Sequence, residues 1–182
     1  KILFIGNDKN RDYSFVVHTI SPKSFNKNEV LVELVSGLGE SLVSGEPQFV
    51  GAAHQFKYNK KSKKITRELY RTKSIKLTSK GEQLIKPKED IFQDKEIPLP
   101  KLLKKLFEDS IKIEKNISQL KEGGSLNLPQ DIEGVIKITG AFNLLEKNKQ
   151  NIYYVQARTQ FIPRIKYSGV KKREKIQNKE IK

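Results

Sequence analysis

Residues 129–136 read PQDIEGVI and residues 153–160 read YYVQARTQ, and both stretches alternate polar and apolar side chains like a half-buried β-strand. Successive side chains of a strand point to opposite faces, so each stretch has one polar face. The matched alternation predicts that residues 131–135 and 153–158 pair as adjacent antiparallel strands, so that one side of the sheet carries two carboxylates, an amide and a guanidinium: Asp131, Glu133, Gln156 and Arg158. Residue types alone leave two interpretations open, an ion-paired face in solvent and a binding site.

The rest of the chain predicts an α+β fold with a mainly antiparallel sheet and one long helix. β-Branched and aromatic residues bounded by turn residues predict strands in four places: residues 13–20, 29–36, 48–59 and 63–71. A short strand and turn are predicted within residues 74–85. From Pro100 the apolar residues recur at helical spacing, which predicts a helix over residues 101–120 that the glycines of residues 122–125 end. Residues 86–100 are predicted to be a loop.

Composition excludes several classes of site. Without cysteine the chain has no disulfide and no cysteine-ligated zinc, and two histidines, His18 and His54, exclude a histidine-rich metal centre. No apolar run approaches the roughly 20 residues of a membrane span. We therefore expect a cytoplasmic protein without a membrane partner, or a plastid protein in a plant-like cell. Because the chain begins at Lys1 and has no methionine, we expect it to be part of a longer protein.

The net charge of +15 favours a polyanionic partner such as nucleic acid. Only six of the 36 cationic residues are arginine, which is the residue suited to bidentate recognition of bases and phosphates. The lysines are spread along the chain, and no aromatic stacking platform is evident. We therefore expect no specific nucleic-acid partner and interpret most lysines as solvated surface. The one local basic cluster is the C-terminal tail, residues 163–182.

Two other features have ordinary structural explanations. GLGESL at residues 37–42 follows a strand and precedes a predicted helix, a context in which backbone amides can hold phosphate. Leu42 stands where a dinucleotide fingerprint has its third glycine, so a strand-to-helix turn with Glu40 near the helix N-terminus is the simpler interpretation. His18 lies in the apolar strand FVVHTI, where a histidine more often packs in a core or at an edge than acts in catalysis.

Three stretches in this order resemble the nucleotide-binding domain of the dikinases, the family of phosphoenolpyruvate synthase, pyruvate phosphate dikinase and the α-glucan water dikinases. They are VELVSGLGESLVSGEP at residues 32–47, DIEGVIK at residues 131–137 and YYVQARTQ. FVVHTISP, LPQDIEGV and VQARTQ resemble the α-glucan water dikinases in particular. The resemblance covers roughly residues 13–161.

This resemblance implies an ATP-grasp-like fold of which the chain holds the C-terminal part. It implies a lead-in at residues 1–12, the nucleotide-binding domain at residues 13–162 and a basic tail at residues 163–182. It also implies that ATP and Mg²⁺ are bound. The family transfers the β-phosphate of ATP through a histidine on a separate domain, absent from this chain, and releases AMP and phosphate. The acceptor that the resemblance implies is an α-glucan.

The resemblance also assigns roles to individual residues. Glu133 and Gln156 would contact ATP or its metal, Arg158 would contact the phosphates and act in catalysis, and Asp131 would support the metal site. The two remaining cofactor-binding candidates match motif positions only: Glu40 and Thr19.

The chain departs from the family in three places. Glu133 and Gln156 are 23 positions apart, about twice the usual spacing, so we expect residues 139–151 to form an exposed, mobile excursion. Thr159 stands where many relatives have proline, and residues 77–79 replace an Arg-Ser-Asp run. Three alternatives stay open: a dikinase with pyruvate as acceptor, a degenerate regulatory nucleotide-binding domain, and a basic nucleic-acid-binding module.

Overall fold

The computed structural model describes residues 11–44, 46–69, 71–85, 99–120, 128–138 and 152–160. These residues form eight strands and two α-helices. The strands are β1 (Arg11–His18), β2 (Glu29–Ser36), β3 (His54–Asn59), β4 (Ile65–Leu69), β5 (Ile75–Thr78), β6 (Gly81–Leu84), β7 (Gln130–Ile138) and β8 (Ile152–Thr159). The helices are α1 (Glu40–Val43) and α2 (Leu99–Leu120). This is the predicted α+β combination of antiparallel strands with one long helix.

Six strands form one antiparallel sheet in the order β4-β3-β2-β1-β7-β8, and β5 and β6 form a separate hairpin. The central strand β1 therefore pairs with β2 on one side and with β7 on the other, although β7 follows it by more than a hundred residues. This order places the motif strand β7 next to β1 and the motif strand β8 at the edge of the sheet.

The sheet has one apolar face, and α2 packs against it. The core of this face is built from alternate residues of the strands together with one side of the helix: Tyr13, Phe15, Val17, Val30, Val32, Leu34, Phe56, Tyr58, Leu102, Leu103, Leu106, Phe107, Ile132, Ile136 and Ile152. The rings of Tyr58 and Phe107 stack with their centroids 4.9 Å apart, which joins β3 to the helix. Residues 99 and 100 belong to α2 and not to the predicted loop, since Pro100 lies in the first turn, where a proline removes no intrahelical hydrogen bond.

The opposite face, which we call the polar face because it carries the charged side chains, also holds buried apolar residues such as Leu31 and Val35, and residues after β2 cover its β2–β3 part. Gly37 has a φ of +85° and bridges to Leu77 of the hairpin. The segment then continues through α1 and a 3₁₀ turn at Pro47–Phe49, where Phe49 is buried. The β7–β8 part of the polar face carries the charged motif residues.

Several predicted boundaries are corrected by the structure. The first strand runs from residue 11 to residue 18 rather than from 13 to 20. Residues 48–53 are not strand, since Pro47 begins a 3₁₀ turn and Gly51 has a φ of +86°, neither of which suits an extended strand. Residues 86–98, 121–127, 139–151 and 161–182 lie outside the described residues, so the predicted loop, helix stop, excursion and tail lie largely or wholly there.

Candidate functional site

The two motif strands pair as predicted. β7 and β8 are antiparallel, Asp131 is opposite Arg158, and Glu133 is opposite Gln156. Directly opposed residues share a face, so these four side chains lie on the polar side of the sheet. The register shifts between Glu133 and Gly134, which marks a bulge next to the paired polar residues.

Arg158 lies between two carboxylates without a close bond to either. Its Nε is 3.8 Å from Asp131 Oδ2, and its Nη2 is 3.8 Å from Glu133 Oε1. The arginine side chain is 58% exposed, whereas that of Asp131 is 15% exposed. The guanidinium therefore has donors available to a further anion, and the two carboxylates flank it at the edge of the sheet formed by β8.

His18 of β1 extends this arrangement toward β2. Its Nδ1 is 2.7 Å from Asp131 Oδ1, and its Nε2 is 3.5 Å from Glu33 Oε2. Carboxylates and cations thus alternate across β2, β1, β7 and β8, and we call the five residues the charged row: Glu33, His18, Asp131, Arg158 and Glu133.

Burial and hydrogen bonding oppose each other in setting the charge of His18. Burial lowers the pKa of the imidazole, but the hydrogen bonds and charges of Asp131 and Glu33 more than compensate and raise the pKa to about 9. The hydrogen bond from His18 in turn lowers the pKa of the Glu33 carboxyl, against the effect of burial. Both groups are therefore ionised at neutral pH.

The polar face continues into a cavity on the β3 side. Gln55 of β3 donates a hydrogen bond from Nε2 to Glu33 Oε1, and Lys23 Nζ donates to Gln55 Oε1 at 2.5 Å. Glu33 and Gln55 line a cavity of about 170 Å³ whose other walls come from the segment after β2, including Leu42 and Phe49. The charged row and this mixed polar and apolar cavity are continuous through Glu33.

Gly134, the glycine of the DIEGV motif, is required by close packing beside Glu133. A Cβ built on Gly134 would overlap with the ring of Phe15 and with the backbone carbonyl oxygen of Tyr153. Phe15 lies opposite Gly134 in the β1–β7 register, so its ring covers the glycine directly. The edge of the Phe15 ring also meets Tyr154, with centroids 5.7 Å apart.

The structure does not bring the other two candidates, Thr19 and Glu40, into the charged row. Thr19 is fully buried, and its Oγ1 accepts a hydrogen bond from the backbone N–H of Gln130 at 2.8 Å. Glu40 begins the four-residue helix α1 and is exposed. The hydrogen bond of Thr19 therefore links the residue after β1 to the first residue of β7, which is a structural role.

The oxygen donors of the charged row suit Mg²⁺ only together with phosphate oxygens. Within the described residues, no group of three or more His, Cys, Asp or Glu side chains is arranged to hold a metal ion. Mg²⁺ bound to a nucleotide needs only one or two protein carboxylates, with the remaining ligands from phosphate and water. Both oxygens of Asp131 face cations, whereas Glu133 Oε2 has no partner among the described contacts. Glu133 therefore fits a direct ligand, with Asp131 beside it.

The accessible guanidinium of this face can bind an anion such as phosphate, and the comparison with known families gives the class of protein. The model of the family described as "Pyruvate phosphate dikinase, AMP/ATP-binding domain" matches residues 5–180. The chain belongs to this family, and ATP binding is the property that the family description supports.

The curated relatives are α-glucan water dikinases. α-Glucan water dikinase 2 of Arabidopsis thaliana is 30% identical over 174 residues, covering 82% of this chain and 12% of that protein. The chloroplastic α-glucan water dikinase of Citrus reticulata is 44% identical over 69 residues, covering 37% of this chain and 4% of that protein. The chain thus spans 12% or less of the length of these two relatives.

Sequence reasoning missed three residues of this face. Glu33 and Gln55 lie in strands whose alternation was recognised, but no sequence signal shows that β2 and β3 present them to the same face as Asp131. His18 was assigned a packing role because its neighbours are apolar. The alternation of β1 does place His18 on the other face of the sheet from Phe15 and Val17. That alternation was a usable signal that His18 lies on the polar face.

Proposed function

We propose that the charged row binds the phosphates of Mg-ATP in a dikinase that transfers the β-phosphate, through a phosphohistidine on a separate domain, to an α-glucan. AMP and phosphate are the other products. The observation that carries the proposal is Arg158, an accessible guanidinium held 3.8 Å from each of two carboxylates on an otherwise ion-paired face. The family match and the names of the relatives support the dikinase chemistry.

Each residue of the site has a distinct part in this proposal. Arg158 stabilises the charge that develops on the phosphoryl oxygens during transfer. Glu133 binds the metal that accompanies ATP, Gln156 contacts ATP or the metal from the neighbouring strand, and Asp131 supports the metal site. Mg²⁺ supplies charge neutralisation between the phosphates when it is bound. Glu40 and Thr19 stay candidates from motif position alone.

The acceptor is the part of the proposal that rests on the relatives. All of the relatives named above are α-glucan water dikinases, which favours a glucan. Pyruvate is the alternative acceptor, because the matching family carries the name of a pyruvate enzyme. Phosphorylation of an α-glucan, with none of pyruvate, by a complete enzyme containing this chain would decide between them. The chloroplastic name of the Citrus relative favours a plastid location.

Two substitutions separate binding from transfer. Arg158→Ala should lower the rate of histidine phosphorylation on the order of a hundredfold or more, with ATP affinity changed less, because the arginine acts on developing charge. Glu133→Ala should weaken Mg-ATP binding, and added magnesium should recover part of the loss. ATP affinity and single-turnover phosphorylation in a complete enzyme containing this chain measure both.

Lys57→Ala is the matched control, since Lys57 is a cation of the same sheet face whose described ion pair is with Glu29, at 3.7 Å. The control should behave like the wild type. Unchanged kinetics in both Arg158→Ala and Glu133→Ala would instead assign the charged row to an ion-paired solvent face with no part in catalysis.

A further inference from the structure

His18 is the internal cation of the charged row. One ring nitrogen is 2.7 Å from a carboxylate oxygen of Asp131, and the other is 3.5 Å from a carboxylate oxygen of Glu33. Both ring nitrogens therefore face carboxylate oxygens, which accept hydrogen bonds only. The His18 side chain is 18% exposed and lies on the strand next to β7, beside the site rather than within its accessible part.

Asp131 divides its two oxygens between two cations. Oδ1 faces His18 at 2.7 Å, and Oδ2 faces Nε of Arg158 at 3.8 Å. The short contact satisfies Asp131 from the β1 side, so the long contact to Arg158 persists and the guanidinium keeps donors for another anion. Without a cation on the β1 side, this carboxylate, which is only 15% exposed, would be left with Arg158 as its one ion-pair partner among the residues that the structure describes.

We propose that His18 is a positioning residue, which satisfies Asp131 and thereby keeps the Arg158 guanidinium available to the phosphates. Without His18, Asp131 and Arg158 close into a tight pair and the guanidinium turns away from the nucleotide. The charges of the row point the same way, because its three carboxylates already outnumber its two cations, and removal of His18 leaves Arg158 as the one cation facing them. The part of the inference that concerns phosphate rests on the proposed function.

The Arg158 Nε–H resonance provides a readout that does not depend on activity. The chain has only six arginines, and the signal that disappears in Arg158→Ala assigns it. In His18→Gln the Arg158 resonance should shift, because Arg158 Nε moves closer to Asp131. His18→Lys retains a cation beside Asp131, so in that variant the resonance should stay near its wild-type position. The matched control is His54→Gln, because His54 is the other histidine, is buried on the opposite face, and should leave the signal unchanged.

The transfer reaction of a complete enzyme containing this chain is the second readout. His18→Gln should slow histidine phosphorylation about tenfold or more, the usual effect of removing an outer partner of a site. The same substitution in an Arg158→Ala background should cause no further loss, because a positioning residue acts through the residue it positions. A general loss of stability would instead slow both backgrounds alike.

The outcomes distinguish this inference from the proposed function. A wild-type Arg158 signal that does not respond to Mg-ATP would overturn the proposed function and the phosphate part of the inference with it. A response to Mg-ATP, combined with an Arg158 signal that is the same in His18→Gln and the wild type, would overturn the inference alone. Additive losses of rate in the double variant would also overturn it.

Discussion

Replacing Gly134 by alanine should destabilise the protein through overpacking rather than through backbone strain. Gly134 is not among the glycines with positive φ, so alanine can adopt its backbone conformation. The added Cβ, however, would overlap with the ring of Phe15 and with the carbonyl oxygen of Tyr153. Phe15 is 1% exposed and packed in the core, and the carbonyl belongs to the neighbouring strand. Neither neighbour can withdraw without disturbing the sheet.

The expected cost is about 3 kcal/mol in the free energy of unfolding, the upper part of the range for an extra methyl group in a packed core. With an m-value of about 2 kcal/mol/M, the urea midpoint should fall by about 1.5 M. Urea unfolding followed by circular dichroism measures this. The control is Gly39→Ala, because Gly39 has an ordinary φ of −67° and the new Cβ would lie 3.2 Å from Ser14 Cβ. This substitution should lower the free energy of unfolding by less than about 1 kcal/mol. Equal midpoints for Gly134→Ala and the wild type would refute the packing argument.

Two further variants test the polar contacts around the sheet. Because the folded-state pKa of Glu33 lies below its ordinary value, its ion pair with His18 stabilises the protein above about pH 4.5 and is lost as the pH falls through the lowered pKa. Glu33→Gln should therefore be less stable than the wild type at neutral pH, and the difference should shrink below pH 4.5 in acid-unfolding curves; a constant difference would contradict this. Tyr154→Phe removes the hydroxyl that donates to Asp109 Oδ2 at 2.9 Å, so it should lower the free energy of unfolding by about 1.5–3 kcal/mol in urea titrations, and an unchanged midpoint would contradict the role of this bond.

Local patterns predict the elements of this fold well, because each depends on neighbours in sequence. The alternation in β2 gave its bounds, residues 29–36, and the helical spacing after Pro100 gave a helix within two residues of its observed start. The pairing of β7 with β8 and the shared face of Glu133 and Arg158 also follow from alternation. The prediction failed at residues 48–53, where Pro47 and Gly51 set a turn within an apolar stretch.

The strand order could not be predicted in this way. β1 pairs with β7 across more than a hundred residues, and no local pattern specifies that partner. The charged row depends on this pairing, since His18 meets Asp131 only because their strands are adjacent. The local sequence around His18 or Glu33 does not show which strand lies beside it. Both residues were therefore missed, while the polar residues of β7 and β8 were found.

The central position of β1 has a consequence for how the protein is made. His18 and Asp131 are 113 positions apart, and β8 follows later still. A ribosome will have released residues 19–129 before the β1 edge that receives β7 can be filled, so β2 can pair with β1, and β3 and β4 can extend the sheet from β2, while that edge is open. Pairings this distant in sequence close slowly, and an unpaired strand edge is a template for association with other chains. The charged row is then completed only after β7 and β8 have been synthesised, and a truncation before residue 130 leaves one edge of β1, the central strand, unpaired.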